Sequence, residues 1–310
     1  MKRFFTWLLL AMLAPSCGGG GIGGTGIGTV SGFGSVFVNG IEWFTEGAEV
    51  IVGGESATEA DLRLGMLIRV DGKYRKDGTT GVARSVVFES AVQGPVDAVT
   101  ATSATTNEVE ILGRTVVLEQ GYTVFDDSDP GFGFGSVAVG DVLAVSGHVA
   151  GDGAILATWV RRLGTLVLGE TEVEFEGVIS GYAGGTSFEI GPVAVEIDAY
   201  TDLTGLPGGL ANGLAVEVEG VIFAPGAVLA VAVELEDGPV GDTKKLTLEG
   251  LVSDVADLGD FLVAGQPVDA SSATFSPPDP SFIAEGALVE VEGPVVGGVL
   301  VAQEVQLEAP

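Results

Sequence analysis

The sequence contains one cysteine and one histidine in 310 residues, and each scarcity removes a class of structure or chemistry. A lone Cys17 permits no intramolecular disulfide. A lone His148 leaves Ser-His hydrolysis without its usual base except at one place. Together the two cannot supply the several sulfur and nitrogen ligands that a zinc site requires. Basic residues are scarce as well: 13 Lys and Arg stand against 43 Asp and Glu, a formal charge of −30. Phosphate backbones would be repelled, so nucleic acid is not an expected partner.

High acidity with few aromatics can signal disorder, but 46% of the residues are hydrophobic and only 18% are charged. Such a chain can bury a core. Long runs of helix formers are missing and valine is abundant, which points to an all-β fold. The 50 glycines follow no period of three, so collagen is excluded and they belong to turns and strand ends.

The first residues carry a targeting pattern. Lys2 and Arg3 precede an apolar run from Phe4 to Ala14, followed by Pro15, Ser16 and Cys17. This is the layout of a signal peptide over residues 1–16, with an apolar run too short to span a bilayer. Leu13-Ala-Pro-Ser-Cys17 resembles a bacterial lipobox, which implies an acylated Cys17 at the mature N-terminus. Gly18 in place of aspartate implies the outer membrane, facing the periplasm or the surface. The alternative is an ordinary secretory signal and a soluble periplasmic or secreted protein. Residues 17–26 are glycine-dominated and read as a flexible tether.

The remainder is repetitive. Two glycines bound a six-residue strand four times: Gly65-MLIRVD-Gly72, Gly140-DVLAVS-Gly147, Gly213-LAVEVE-Gly220 and Gly286-ALVEVE-Gly293. Each is preceded by a shorter signature, at Gly28, Gly94, Gly177 and Gly250. Each is followed by an alanine and, three positions on, a valine: Ala83 and Val86, Ala157 and Val160, Ala230 and Val233, Ala302 and Val305. Within the bounded strand the third and fifth positions are aliphatic and point inward. The fourth and sixth, from Arg69 and Asp71 to Glu290 and Glu292, read as a solvated face. The spacing of three between alanine and valine breaks period two and predicts a β-bulge.

The fourth copy divides into strands near Leu246–Ser253, Asp260–Ala264, Pro267–Ala270, Ala287–Glu292 and Val299–Leu307, with the longer connection before the fourth. That count predicts four tandem five-stranded barrels of the oligonucleotide/oligosaccharide-binding type, with tandem β-sandwiches as the alternative. The modules are placed at 27–90, 91–165, 172–237 and 244–309, with modules 1 and 2 nearly continuous. The opening Gly28-TVSGFGSVFVNG-Ile41 and Asp61-LRLGMLIRVDG-Lys73 resemble the bacterial domain-of-unknown-function family numbered 5666. Later copies, with Val218-EG-Val221 and Leu300-VAQEV-Gln306, are similar to its repeats. The resemblance spans nearly all of residues 26–308. It implies an envelope lipoprotein of tandem barrels and brings no substrate or catalytic residues.

Candidate sites are few. His148 follows Gly147 at a strand end, without an adjoining nucleophile motif, and reads as a turn histidine. Asp127 and Asp129, in Asp126-Asp-Ser-Asp-Pro-Gly131, echo a calcium loop without its complete ligand spacing. Otherwise no metal or cofactor is expected. Arg69, Lys73, Arg75 and Lys76 form a basic cluster that could meet an anionic surface or guard an edge strand. Trp43, Phe44 and Trp159 either stack on a ligand or fill a core; of the adjacent Trp43 and Phe44, one should point outward. The expected role is a non-enzymatic, lipid-anchored spacer or interaction scaffold. The alternative is a protein that reads a glycan or an envelope partner through module 1.

Overall fold

Period-two patterning with glycine at the strand ends builds a molecule almost wholly of β-strands. The structure, a computed structural model, describes residues 21–309; the signal segment, Cys17 and Gly18–Gly20 lie outside the described residues. Module 1 comprises β1 (Ile22–Gly32), β2 (Val36–Val38), β3 (Ile41–Phe44), β4 (Glu49–Val52), β5 (Glu55–Ala57), β6 (Leu67–Tyr74) and β7 (Thr80–Phe88). Module 2 comprises β8 (Val92–Ala101), β9 (Thr106–Ile111), β10 (Arg114–Glu119), β11 (Val124–Phe125), β12 (Asp141–Val149) and β13 (Ile155–Thr165). Module 3 has β14 (Glu172–Ser180), β15 (Ser187–Ile190), β16 (Val193–Glu196), β17 (Ala215–Ala224) and β18 (Ala227–Leu235). Module 4 has β19 (Thr243–Asp257), β20 (Asp260–Val263), β21 (Gln266–Asp269), β22 (Thr274–Ser276), β23 (Leu288–Val296), β24 (Val299–Val301) and β25 (Glu304–Leu307).

Each module closes the same barrel. In module 3, β14 pairs β15, β15 pairs β16, β16 pairs β18 in parallel, β18 pairs β17, and β17 returns to β14. The same circuit runs through β1, β2, β3, β7 and β6 in module 1. It recurs through β8, β9, β10, β13 and β12 in module 2. In module 4 it runs through β19, β20, β21, β24 and β23. Closure removes free sheet edges within a module and sets aside the sandwich alternative. The extra segments β4–β5, β11 and β22 all fall between the third and fourth barrel strands, where the sequence lengthens.

The repeated landmarks have separate physical jobs. The first glycine of each bounded strand, Gly65, Gly140, Gly213 or Gly286, sits at φ between +77° and +89°, where a Cβ is strained. The second faces a bulge: the register of β17 and β18 shifts between Glu219/Gly220 and Ala232/Ala230, leaving Val231 as the extra residue. Arg84 and Thr158 occupy the same place in modules 1 and 2, so the alanine-to-valine spacing does mark a bulge. In module 4 the last strand is interrupted there instead, splitting into β24 and β25. A Cβ on Gly220 would lie 2.6 Å from the carbonyl oxygen of Leu229. Gly220→Ala is therefore expected to cost about 1–3 kcal/mol, because the bulged strand must move to admit it. Thermal unfolding reads this directly, and an unchanged midpoint would show that the bulge yields freely.

The modules do not hang separately. β1 pairs in parallel with β19, joining modules 1 and 4, and β14 pairs with β8, joining modules 2 and 3. Modules 2 and 3 share one apolar core, while Ala144 and Trp159 of module 2 pack into the core of module 1. The glycine-rich start is accordingly not all tether, because Ile22–Gly26 belong to β1. Its glycines admit close neighbours: a Cβ on Gly24 would collide with the Lys245 carbonyl oxygen and come within 2.8 Å of the Tyr74 ring. The Tyr74 hydroxyl donates to the Thr25 carbonyl at 2.6 Å and lies 2.9 Å from Thr247 Oγ1, spanning both modules.

Candidate functional site

The face that alternation marks as solvated is where the modules meet. Its fourth- and sixth-position residues are all half-buried or buried: Arg69, Asp71, Ala144, Ser146, Glu217, Glu219, Glu290 and Glu292. Polarity on every second residue signals a solvent face only when the opposite partner is water, and for Ala144 and Ser146 it is module 1. Ser146 Oγ accepts from the Leu67 backbone N–H at 2.8 Å, linking modules 2 and 1.

At the centre of this junction lies His148. The sequence placed it in a turn, but it stands within β12 and is 1% exposed. Its Nε2 is 3.3 Å from Glu249 Oε1 of module 4, and neither ring nitrogen makes a well-formed hydrogen bond. Glu249 Oε2 accepts from the Thr29 backbone N–H at 2.7 Å, and Oε1 accepts from Thr29 Oγ1 at 3.2 Å. Burial opposes ionisation of Glu249, but His148 and the Thr29 donors prevail and hold its pKa below the ordinary value. Three modules thus converge on one carboxylate.

On module 3 the same face carries a crowd of acids. Register places Glu174 opposite Glu219 and Glu176 opposite Glu217, and Glu89 approaches from the link between modules 1 and 2. Burial, the neighbouring Glu174, Glu89 and Glu176 charges, and the proton Glu217 shares with Glu174 push the Glu217 carboxyl up to about 9. Burial and Glu219 raise Glu174 to about 7, and burial and Glu236 raise Glu176 to about 7. Protonated Glu217 donates to Glu174, an acid–carboxylate pair of the kind that can exchange a proton.

The other candidate residues scatter. Trp43 is fully buried, its ring edge-on to Tyr74 at 4.8 Å. Trp159 is 2% exposed and edge-on to Phe88 at 5.7 Å. Neither presents an open stacking face. Phe44 is the outward member of its pair, half-buried, with the Arg75 guanidinium 4.4 Å above its ring. Asp127 is exposed, whereas Asp129 is gripped by Arg162 at 2.7 Å and 2.5 Å. Among the described residues no group of three or more His, Cys, Asp or Glu side chains is placed to hold a metal. Of the basic cluster, Arg69 is tied to Asp71 at 3.0 Å in mid-strand, while Lys73, Arg75 and Lys76 are exposed around the β6–β7 hairpin.

A cleft of about 730 Å³ opens where modules 1, 2 and 3 adjoin. Arg63 and Arg161, from different modules, flank Asp126, with Arg63 Nε 3.6 Å from its carboxylate. Phe88 and Trp159 contribute to its walls, and Glu172 and Glu219 enter from module 3. Sequence reading missed this assembly because its members lie in three copies and share no motif. Among the described residues no helix is long and apolar enough to cross a membrane.

The profile of a family described as "Domain of unknown function (DUF5666)" matches residues 93–161, 176–234 and 249–306. These three matches fall on modules 2, 3 and 4. Module 1 lies outside them, although its barrel has the same strand pairing. No curated protein matches the chain.

Proposed function

The chain belongs to the DUF5666 family, whose repeats cover more than half of it, and from that premise we propose a non-enzymatic, lipid-anchored envelope protein acting as one compact interaction scaffold. The observation that carries this reading is the central junction: His148, Glu249 and the repeated polar face hold modules together. Pairing of β1 with β19 also favours a scaffold over an extended spacer. The protein sits in the outer membrane by acylated Cys17, in contact with an envelope partner.

Mass spectrometry of the mature N-terminus is expected to find Cys17 carrying acyl chains; any other N-terminus overturns the anchor. A broad hydrolase panel is expected to show no turnover, and activity abolished by one substitution would overturn the scaffold. The cleft favours a second reading, a glycan- or partner-binding protein, because Arg63, Arg161 and several carboxylates offer both donors and acceptors to a polyhydroxylated ligand. Under that reading Arg161→Ala lowers glycan-array signals without lowering the melting temperature. Trp43→Ala is a poor test, since removing a buried ring damages the core.

A further inference from the structure

In a chain where acids outnumber bases 43 to 13, one end of the molecule departs from the rule. β1 begins at Ile22, opposite Tyr74, with Gly23 opposite Lys73. The hairpin that follows carries Arg75 and Lys76 and is closed by the Arg75 N–H on the Thr80 carbonyl. The parallel register of β1 and β19 brings Lys244 and Lys245 of module 4 alongside. Five of the thirteen basic residues therefore gather at the end where the chain leaves toward Cys17.

The carboxylates there keep their charge, and each is fixed in place by a local partner. Asp77 accepts from the Thr79 and Thr80 backbone N–H groups, Asp242 from the Gly298 N–H, and Glu42 from Ser35 Oγ. Glu292 pairs with Lys245 at 2.6 Å. Lys73, Arg75, Lys76 and Lys244 are exposed. Three apolar side chains share the end: Ile22 is 52%, Val82 40% and Val296 61% exposed. Val296 arrives through the β23–β24 hairpin, whose Gly298 is bonded to Asp242 next to β19.

We propose that this pole, built jointly by modules 1 and 4, is the surface on which the protein rests against anionic phospholipid headgroups. The proposal depends on the lipid-anchor reading, and chain length then makes it compulsory that the pole lies close to the bilayer. Five residue steps separate Cys17 from Ile22, a reach of at most about 18 Å. Within that distance the pole's cations meet headgroup phosphates at short range, while the acidic bulk lies beyond the screening length. The exposed apolar side chains enter the interfacial layer beside them. Arg69, engaged with Asp71 in mid-strand, is not part of this surface, and Lys244, remote in sequence, is.

The test uses acylated protein in vesicles of phosphatidylethanolamine and phosphatidylglycerol with an acceptor dye on the headgroups. One donor dye is placed either at the pole, by Thr79→Cys, or at the far end, by Glu55→Cys, where the β4–β5 turn lies beside Phe88. Energy transfer from residue 79 is expected to exceed that from residue 55 by about threefold, since headgroup attraction fixes the orientation. Combining Lys73→Glu, Lys76→Glu and Lys244→Glu should equalise the two signals while the acyl chains keep the protein on the vesicles. Equal transfer from both sites in the acylated, unreversed protein overturns the orientation. Absence of acyl chains on Cys17 overturns the anchor itself and the proposal with it.

Discussion

Glu217→Gln is expected to raise the melting temperature at pH 8 by about 5–10 °C, on the order of 2–4 kcal/mol in a chain of this size. The glutamate is pushed to about 9 in the folded protein from an ordinary 4.5. Folding at pH 8 therefore requires it to take up a proton that the unfolded chain has released. A glutamine keeps a donor toward Glu174 and removes that requirement. For the unsubstituted protein the folded state binds more protons than the unfolded one between pH 4.5 and the raised values of about 7 for Glu174 and Glu176 and about 9 for Glu217. Stability is fully present below that window and falls as pH rises through it. Glu249, held below its ordinary pKa, acts in the opposite sense and loses its contribution as the solution becomes more acid. Denaturant titrations from pH 3 to 9 check both claims, the acid limb reading Glu249 and the alkaline limb the raised glutamates. A flat profile in the unsubstituted protein, or one that Glu217→Gln leaves unaltered, would remove the acid cluster from the account.

The second large effect concerns the junction. Glu249→Ala should cost about 3–5 kcal/mol, the usual consequence of deleting one partner from a buried charged contact. His148 would lose its neighbouring carboxylate, and the Thr29 N–H its acceptor. Glu249→Gln should cost less, because the amide oxygen still accepts from Thr29. Because the contact joins modules, its loss should also divide unfolding into steps, with modules 1 and 4 separating from modules 2 and 3. Hydrogen exchange in β1 and β12 would report the division. A single transition at the original midpoint would show that the apolar contacts of Trp159 and Phe88 suffice.

Much of each barrel is legible in the sequence because its landmarks answer to rules internal to one module. A glycine at positive φ, a glycine opposing a bulge, and aliphatic residues on alternate positions recur wherever the barrel recurs. The joint between modules obeys no such repetition. At equivalent places it uses Ala144 and Ser146 in one copy and Glu217 and Glu219 in another, so each copy looks like an ordinary polar face. His148 is hidden for the same reason, having no counterpart in the other copies. One signal was available: Gly24, Gly26 and Gly28 recur at period two, stripping one face of a strand bare. That spacing suits a close neighbour better than a tether.

Pairing of β1 with β19 also bears on how such proteins can diversify. In an open solenoid each copy touches only its neighbours, so duplication can add or delete one without consequence for the ends. Here the first copy's leading strand finds its lateral partner in the last. Losing the final copy would uncover the lateral edge of β1 at Thr25–Ile27, a short open edge of the kind that invites aggregation. The last copy is thereby harder to lose than a terminal copy of an open array, whereas the connections between the third and fourth strands are free to vary.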